Sequence, residues 1–79
     1  MPNQVLDRGH TANLGANTVP GNLQLIGVGA SYTIAINGGA PVAHVIAVGH
    51  VDTYPINNQP VSVTNTTGAA GPANMTLSW

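Results

Sequence analysis

Six ionisable side chains of the acid, imidazole or guanidinium type occur in this sequence, at Asp7, Arg8, His10, His44, His50 and Asp52. Asp7-Arg8-Gly9-His10 gathers three of them in four positions. An acid/base centre would need a nucleophile or a second acid tied to the cluster, and none is. An Asp–Arg pair, with Arg8 reaching a carboxylate or carbonyl on a neighbour, accounts for the same residues.

His44, His50 and Asp52 form the second group. On one continuous strand over residues 42–51 and just beyond, all three point to the same side, with His50 and Asp52 about 6–7 Å apart. Imidazole suits several metals, and three copies of a histidine around a threefold axis could share one ion. A single strand supplies too few ligands, so the expected metal set is none, with His44, His50 and Asp52 as the only candidates. Histidines bonded to backbone and packed among Val and Ile are the plainer reading. Gly49 could also mark a bulge that breaks the alignment.

Other chemistry finds no support. Ser31, Ser62 and Ser78 lie in strand patterns and no Gly-x-Ser-x-Gly elbow occurs. Gly27-Val28-Gly29 opens no helix, so a bulge or sheet corner explains it better than a phosphate loop. Asn65-Thr66-Thr67 and Asn74-Met75-Thr76 match the glycosylation sequon and read as chance matches in so Asn/Thr-rich a chain. No catalytic residue and no cofactor is expected. Tyr54 in its loop with Asn57 and Asn58 fits a sugar-binding patch loosely, the basis of an alternative reading as an oligomeric, lectin-like carbohydrate-binding module.

The elements that position these residues are short. Ten glycines and six prolines interrupt the chain, and the longest stretch free of both runs only from Ala30 to Asn37. An average helix needs about 11–12 residues and a strand about 5–6, so the pieces suit strands. Strands are expected at Leu23–Val28, Ser31–Asn37, Val42–Val51, Val61–Thr64 and Ala73–Trp79. Tyr32, Ile34 and Ile36 share a face, as do Val61 and Val63, and as do Ala73, Met75, Leu77 and Trp79. Asn37-Gly38-Gly39 supplies residues that tolerate positive φ in a tight turn. Residues 54–60 and 66–72 read as loops. The expected fold is all-β: a small antiparallel sandwich or jelly-roll-like domain of five to six short strands over residues 22–79. Residues 1–21 show no period and are expected to be an extended arm, with at most a short strand near Gln4–Arg8. Val5, Leu6, Arg8, Leu14 and Val19 are its expected partner-binding residues.

Charge narrows the function classes. Only 4% of the 79 residues are charged, lysine and glutamate are absent, and cysteine is absent too. A typical soluble domain carries about 25% charged residues. One arginine cannot track a phosphate backbone or form a polybasic membrane patch, so neither nucleic acid nor membrane is an expected partner. No apolar run reaches the ~20 residues of a spanning helix. No signal peptide is visible at Met1-Pro2-Asn3-Gln4, so assembly in a host cytoplasm or a mature form is expected. A 79-residue chain with no disulfide or thiolate zinc site commonly leans on association to supplement its core. By analogy of physical class, these features fit a non-enzymatic structural component of a bacteriophage virion, a capsid decoration, cement or spike protein. Its expected partners are copies of itself, in a trimer or similar ring, and a larger capsid-type protein.

Overall fold

The computed structural model describes residues 2–26, 30–47, 49–67 and 74–79. Within them the chain forms β1 (Asn3–Asp7), β2 (Thr11–Leu14), β3 (Asn22–Ile26), β4 (Ala30–Ile36), β5 (Val42–Ile46), β6 (Val51–Pro55), β7 (Val61–Asn65) and β8 (Asn74–Ser78). They make two four-stranded sheets, ordered β1-β8-β3-β6 and β2-β7-β4-β5, and every pairing is antiparallel. The all-β antiparallel class read from the sequence is thus the fold observed, in the form of a small sandwich.

Period-2 alternation places the core between the sheets. Leu23 and Leu25 of β3, Tyr32 and Ile34 of β4, Val61 and Val63 of β7, and Met75 and Leu77 of β8 are all buried. Ile36, Tyr54 and Trp79 pack against that cluster from its margins. The Trp79 amide donates to the Pro2 carbonyl at 3.0 Å, which docks the C-terminal strand against the first residues described.

The N-terminal segment differs from expectation. In place of an extended arm, the segment supplies a strand to each sheet: β1 pairs with β8 over five residues and β2 pairs with β7 over four. Leu6, Ala12, Leu14 and Val19 are core residues of the chain itself. The physical reason is that a short strand at a sheet edge buries only its inward side chains, so each contributes one or two apolar residues among polar neighbours and shows no long period. Leu6, Leu14 and Val19, expected to bind a partner, are instead buried in the chain's own core; Val5 faces outward and Arg8 is half-buried in the turn that follows β1.

The expected strand over 42–51 is also two strands. β5 ends at Ile46 and β6 begins at Val51, in the other sheet. Between them the His50 amide donates to the Ala47 carbonyl at 3.1 Å, and Gly49 takes φ +77°, a conformation that L side chains rarely adopt. Gly49 thus turns the chain from one sheet to the other. Tyr54 and Pro55, read as loop, complete β6. The expectations for Gly27-Val28-Gly29 and for residues 68–72 fall outside the described residues, as does the side chain of Asn74.

Turn chemistry explains the asparagines. Asn37 and Gly38 both have positive φ, at 54° and 73°, and the Gly39 amide donates to the Ile36 carbonyl. Asn57 and Asn58 repeat this pattern at 53° and 68°, with Gln59 donating to Ile56. Both are type I′ turns. The second is bonded to the 17–21 loop through Ile56, Asn57 and Asn58 amides, which seats Ile56 and Val19 as a plug at one end of the core.

One polar side chain lies wholly inside. Asn65 is fully buried; its Nδ2 donates to the Leu6 carbonyl at 2.8 Å, and its Oδ1 accepts from the Thr67 amide at 3.0 Å and the Thr67 hydroxyl at 2.5 Å. The Thr67 hydroxyl oxygen in turn accepts from the Ser31 amide at 3.2 Å, so one amide links β1, β7 and the start of β4. Such an amide is closed to glycosylation in the folded chain. Replacing it leaves buried groups without partners, each costing about 1–3 kcal/mol. Asn65→Ala is expected to lower unfolding free energy by about 2–3 kcal/mol in chemical denaturation. A loss of no more than about 0.5 kcal/mol, the size of a surface substitution, would contradict the role given to this amide.

Candidate functional site: the open edge of the sandwich

β5 and β6 are both terminal strands, one in each sheet, and they are consecutive in the chain. They form one lateral side of the sandwich. Register decides which side chains turn inward there. His44 stands opposite buried Tyr32, while Asp52 and Tyr54 stand opposite buried Leu25 and Leu23. Tyr32, Asp52 and Tyr54 therefore face the space between the sheets, and His44, on the same side of its strand but exposed, lies at the open margin of that space.

Tyr32 is at the centre. Its hydroxyl donates to Asp52 Oδ2 at 2.6 Å and lies 2.6 Å from the Tyr54 hydroxyl. A phenol carries one proton, and that of Tyr32 goes to the carboxylate, so Tyr54 donates to Tyr32. The direction of the chain is Tyr54 to Tyr32 to Asp52. His44 stacks against Tyr32 with ring centroids 5.6 Å apart and meets Tyr54 edge-on at 6.1 Å. Burial first, then the hydrogen bonds to Asp52 and Tyr54, raises the Tyr32 pKa far above the ordinary tyrosine value. Tyr32 is consequently held neutral, as a donor that fixes the carboxylate.

The arrangement ties two sheets together and keeps a carboxylate at an otherwise unguarded edge. The Tyr32 proton is committed to the Asp52 carboxylate. His44 and Asp52 do approach the same tyrosine, but from opposite sheets; His50 sits in the exposed turn between their strands. The continuous strand that would have aligned all three does not exist. Among the described residues, no three His, Asp or Glu side chains are gathered closely enough to hold a metal ion.

The Asp7-Arg8-Gly9-His10 cluster is a turn. His10 donates to the Asp7 carbonyl at 3.1 Å, with Gly9 at φ +78°, and the Gly9 amide anchors the turn to the Asn65 carbonyl. Tyr54 is committed to the hydrogen-bond chain, and Asn57 and Asn58 are where the type I′ turn demands them. Their side chains are exposed, but their place in the sequence is explained by the backbone.

The Tyr32–Asp52 bond was missed by sequence reasoning. Its only signal is a lone acid at an inward position of a strand, visible once Asp52 is separated from the strand that contains His44.

No family model matches this chain, and no curated protein or solved structure matches it either.

The cluster makes a pH-dependent contribution to stability. In the unfolded chain Tyr32 ionises near pH ~10, whereas the folded chain retains the proton. Above that pH the unfolded state binds fewer protons, so stability is fully present below about pH 10 and falls as pH rises further. Tyr32→Phe is expected to cost about 1–2 kcal/mol at neutral pH and to flatten the alkaline decline. Melting temperatures of both proteins from pH 7 to 11 give the comparison; an equal alkaline slope in the variant would assign the titration to another group.

Proposed function

We propose that the protein is a non-enzymatic assembly subunit, of the kind that decorates, cements or forms a small spike on a bacteriophage particle, acting by adhesion to neighbouring copies and to a larger capsid-type protein. One observation carries this reading. On the outer face of the β1-β8-β3-β6 sheet, Val5, Thr76, Ile26 and Val51 lie in register across all four strands. Val5 is 58%, Ile26 41% and Val51 49% exposed.

The row crosses three inter-strand gaps, about 14 Å, which matches the central part of an interface of about 800 Å² per partner. It contains no charge to desolvate. The flanking row, Asn3, Ser78, Gln24 and Thr53, supplies uncharged hydrogen-bonding groups for a rim. On the lateral side, Val45 of β5 is 78% exposed on a terminal strand that has no lysine, and it offers unpaired backbone groups to an adjacent subunit. Apolar contact and backbone pairing, unlike ion pairing, are insensitive to screening.

Light scattering of the purified chain across dilution, at low and high salt, tests the reading. A closed oligomer whose mass is unmoved by salt is expected, and Ile26→Lys, which places a charge in the middle of the row, is expected to dissociate it. A wild-type monomer at all concentrations would overturn self-association through this face.

A further inference from the structure

The outer face of the other sheet has a different character. Across β2, β7, β4 and β5, register aligns Thr11, Thr64, Thr33 and Ala43 in one row and Asn13, Ser62 and Ala35 in the next. At the end of that second row lies an open groove of about 400 Å³. Asn13, Leu14, Ala35, Val61 and Ser62 of β2, β4 and β7 line it, together with Gly15, Gly38 and Pro60 from three adjoining loops.

We propose that this groove binds a neutral sugar, with a disaccharide running along β2 and β7 preferred to a single ring. The chemistry of the lining selects that class. The Ser62 hydroxyl donates to Asn13 Oδ1 at 2.8 Å. That leaves the Asn13 amide nitrogen as a donor beside a Ser62 oxygen with lone pairs to spare. A sugar hydroxyl both donates and accepts, and so completes this pair; an anion can only accept. No charged side chain lines the groove, so a charged ligand would lose hydration without an ion pair in return. Ala35 and Pro60 give apolar surface for the C–H face of a ring, and the mixture of apolar wall and few polar groups is that of small-molecule sites generally. The two glycines place no side chain over the opening. One row further along the strands, about 7 Å away, the Thr11 and Thr64 hydroxyls bond each other at 2.9 Å and present a second uncharged pair to a second ring.

This site lies on the opposite sheet from the apolar row, so its occupancy is independent of assembly through that row. It is also distinct from Tyr54, Asn57 and Asn58.

Titration of the ¹⁵N-labelled chain with maltose, cellobiose, lactose and chitobiose, followed by amide shifts, tests it. Glucose, glucosamine and gluconate serve as the single-ring, cationic and anionic comparisons. At least one neutral disaccharide is expected to move the Gly15, Gly38 and Ser62 amides and the Asn13 side-chain amide saturably, and more tightly than glucose. Ser62→Ala, which removes one hydroxyl, and Ala35→Trp, which fills the groove, are each expected to weaken binding about tenfold or more while the rest of the spectrum is preserved. Thr53→Ala, on the other outer face, is expected to change nothing. The proposal is overturned if no disaccharide gives saturable shifts, if the shifts fall at Tyr54–Asn58 instead, if glucosamine or gluconate binds as well, or if Ala35→Trp binds normally. Loss of self-association in light scattering would bear on the assembly reading alone.

Discussion

Lateral pairing between strands far apart in the chain is the constraint on which the rest of this structure depends. Asn3 pairs with Ser78 and Leu6 with Met75, so the first strand is held by the last, and β2 is held by β7 some fifty residues later. No single strand of four to seven residues buries enough apolar surface to stand alone. With no cysteine there is no covalent closure, and loop-closure entropy must be met before distant contacts reward it. The buried Asn65 amide acts at this point. It joins β7 to the carbonyl of Leu6 and, through Thr67, to the start of β4, where the N-terminal strand would otherwise be the most easily lost. Its cost of burial is offset because both ends of the amide are bonded.

An open sandwich of this type leaves four terminal strands, β1, β2, β5 and β6, and proteins usually protect such edges with lysine, proline or inward-pointing charges. Lysine is absent here. β6 has Asp52 turned inward and ends on Pro55, and the Tyr54–Tyr32–Asp52 chain makes that carboxylate tolerable by hydrogen-bonding it. β2 is only four residues long. β5 has none of these protections along Val42–Ile46: its outward side chains are Ala43 and Val45, and its inward imidazole is stacked on Tyr32. The edges are therefore unequal, and of the two strands on the open lateral side β5 is the less protected.

The class of fold was legible because Gly and Pro left nowhere for a helix and because Tyr32/Ile34, Val61/Val63 and Met75/Leu77 alternate cleanly. Those strands lie in the interiors of the sheets, where both neighbours enforce the pattern. Legibility failed at the edges. Leu6 and the Ala12/Leu14 pair are too few to show a period, and Ala12 is too small to look like core, yet the two strands they belong to complete both sheets. Residues 42–51 failed for the opposite reason: apart from His44 and His50 the run is apolar on both faces, so the place where it changes sheet is marked only by Gly49, a residue equally consistent with a bulge. The candidate site inherited that error. His44 and Asp52 do meet around Tyr32, but through closure of the sandwich and not through shared strand alignment, and that closure is invisible to local spacing.

The two outer faces show how a nearly uncharged chain can carry different surfaces without using charge. Alternation fixes only that outward positions be compatible with solvent; it does not fix whether they are Val or Thr, which have nearly the same shape and the same preference for strands. On the β1-β8-β3-β6 sheet a crossing row is Val5, Thr76, Ile26 and Val51, three of its four members apolar, and on the β2-β7-β4-β5 sheet the corresponding row is Thr11, Thr64, Thr33 and Ala43, three of its four members hydroxyls. Exchange of a methyl for a hydroxyl leaves strand geometry alone while converting a face that excludes water into one that bonds it. A side chain of full charge would suit neither proposed role: it would oppose burial on the first face and would favour ions over neutral hydroxyls on the second. The low charge of the sequence thus removes the same obstacle from both proposals.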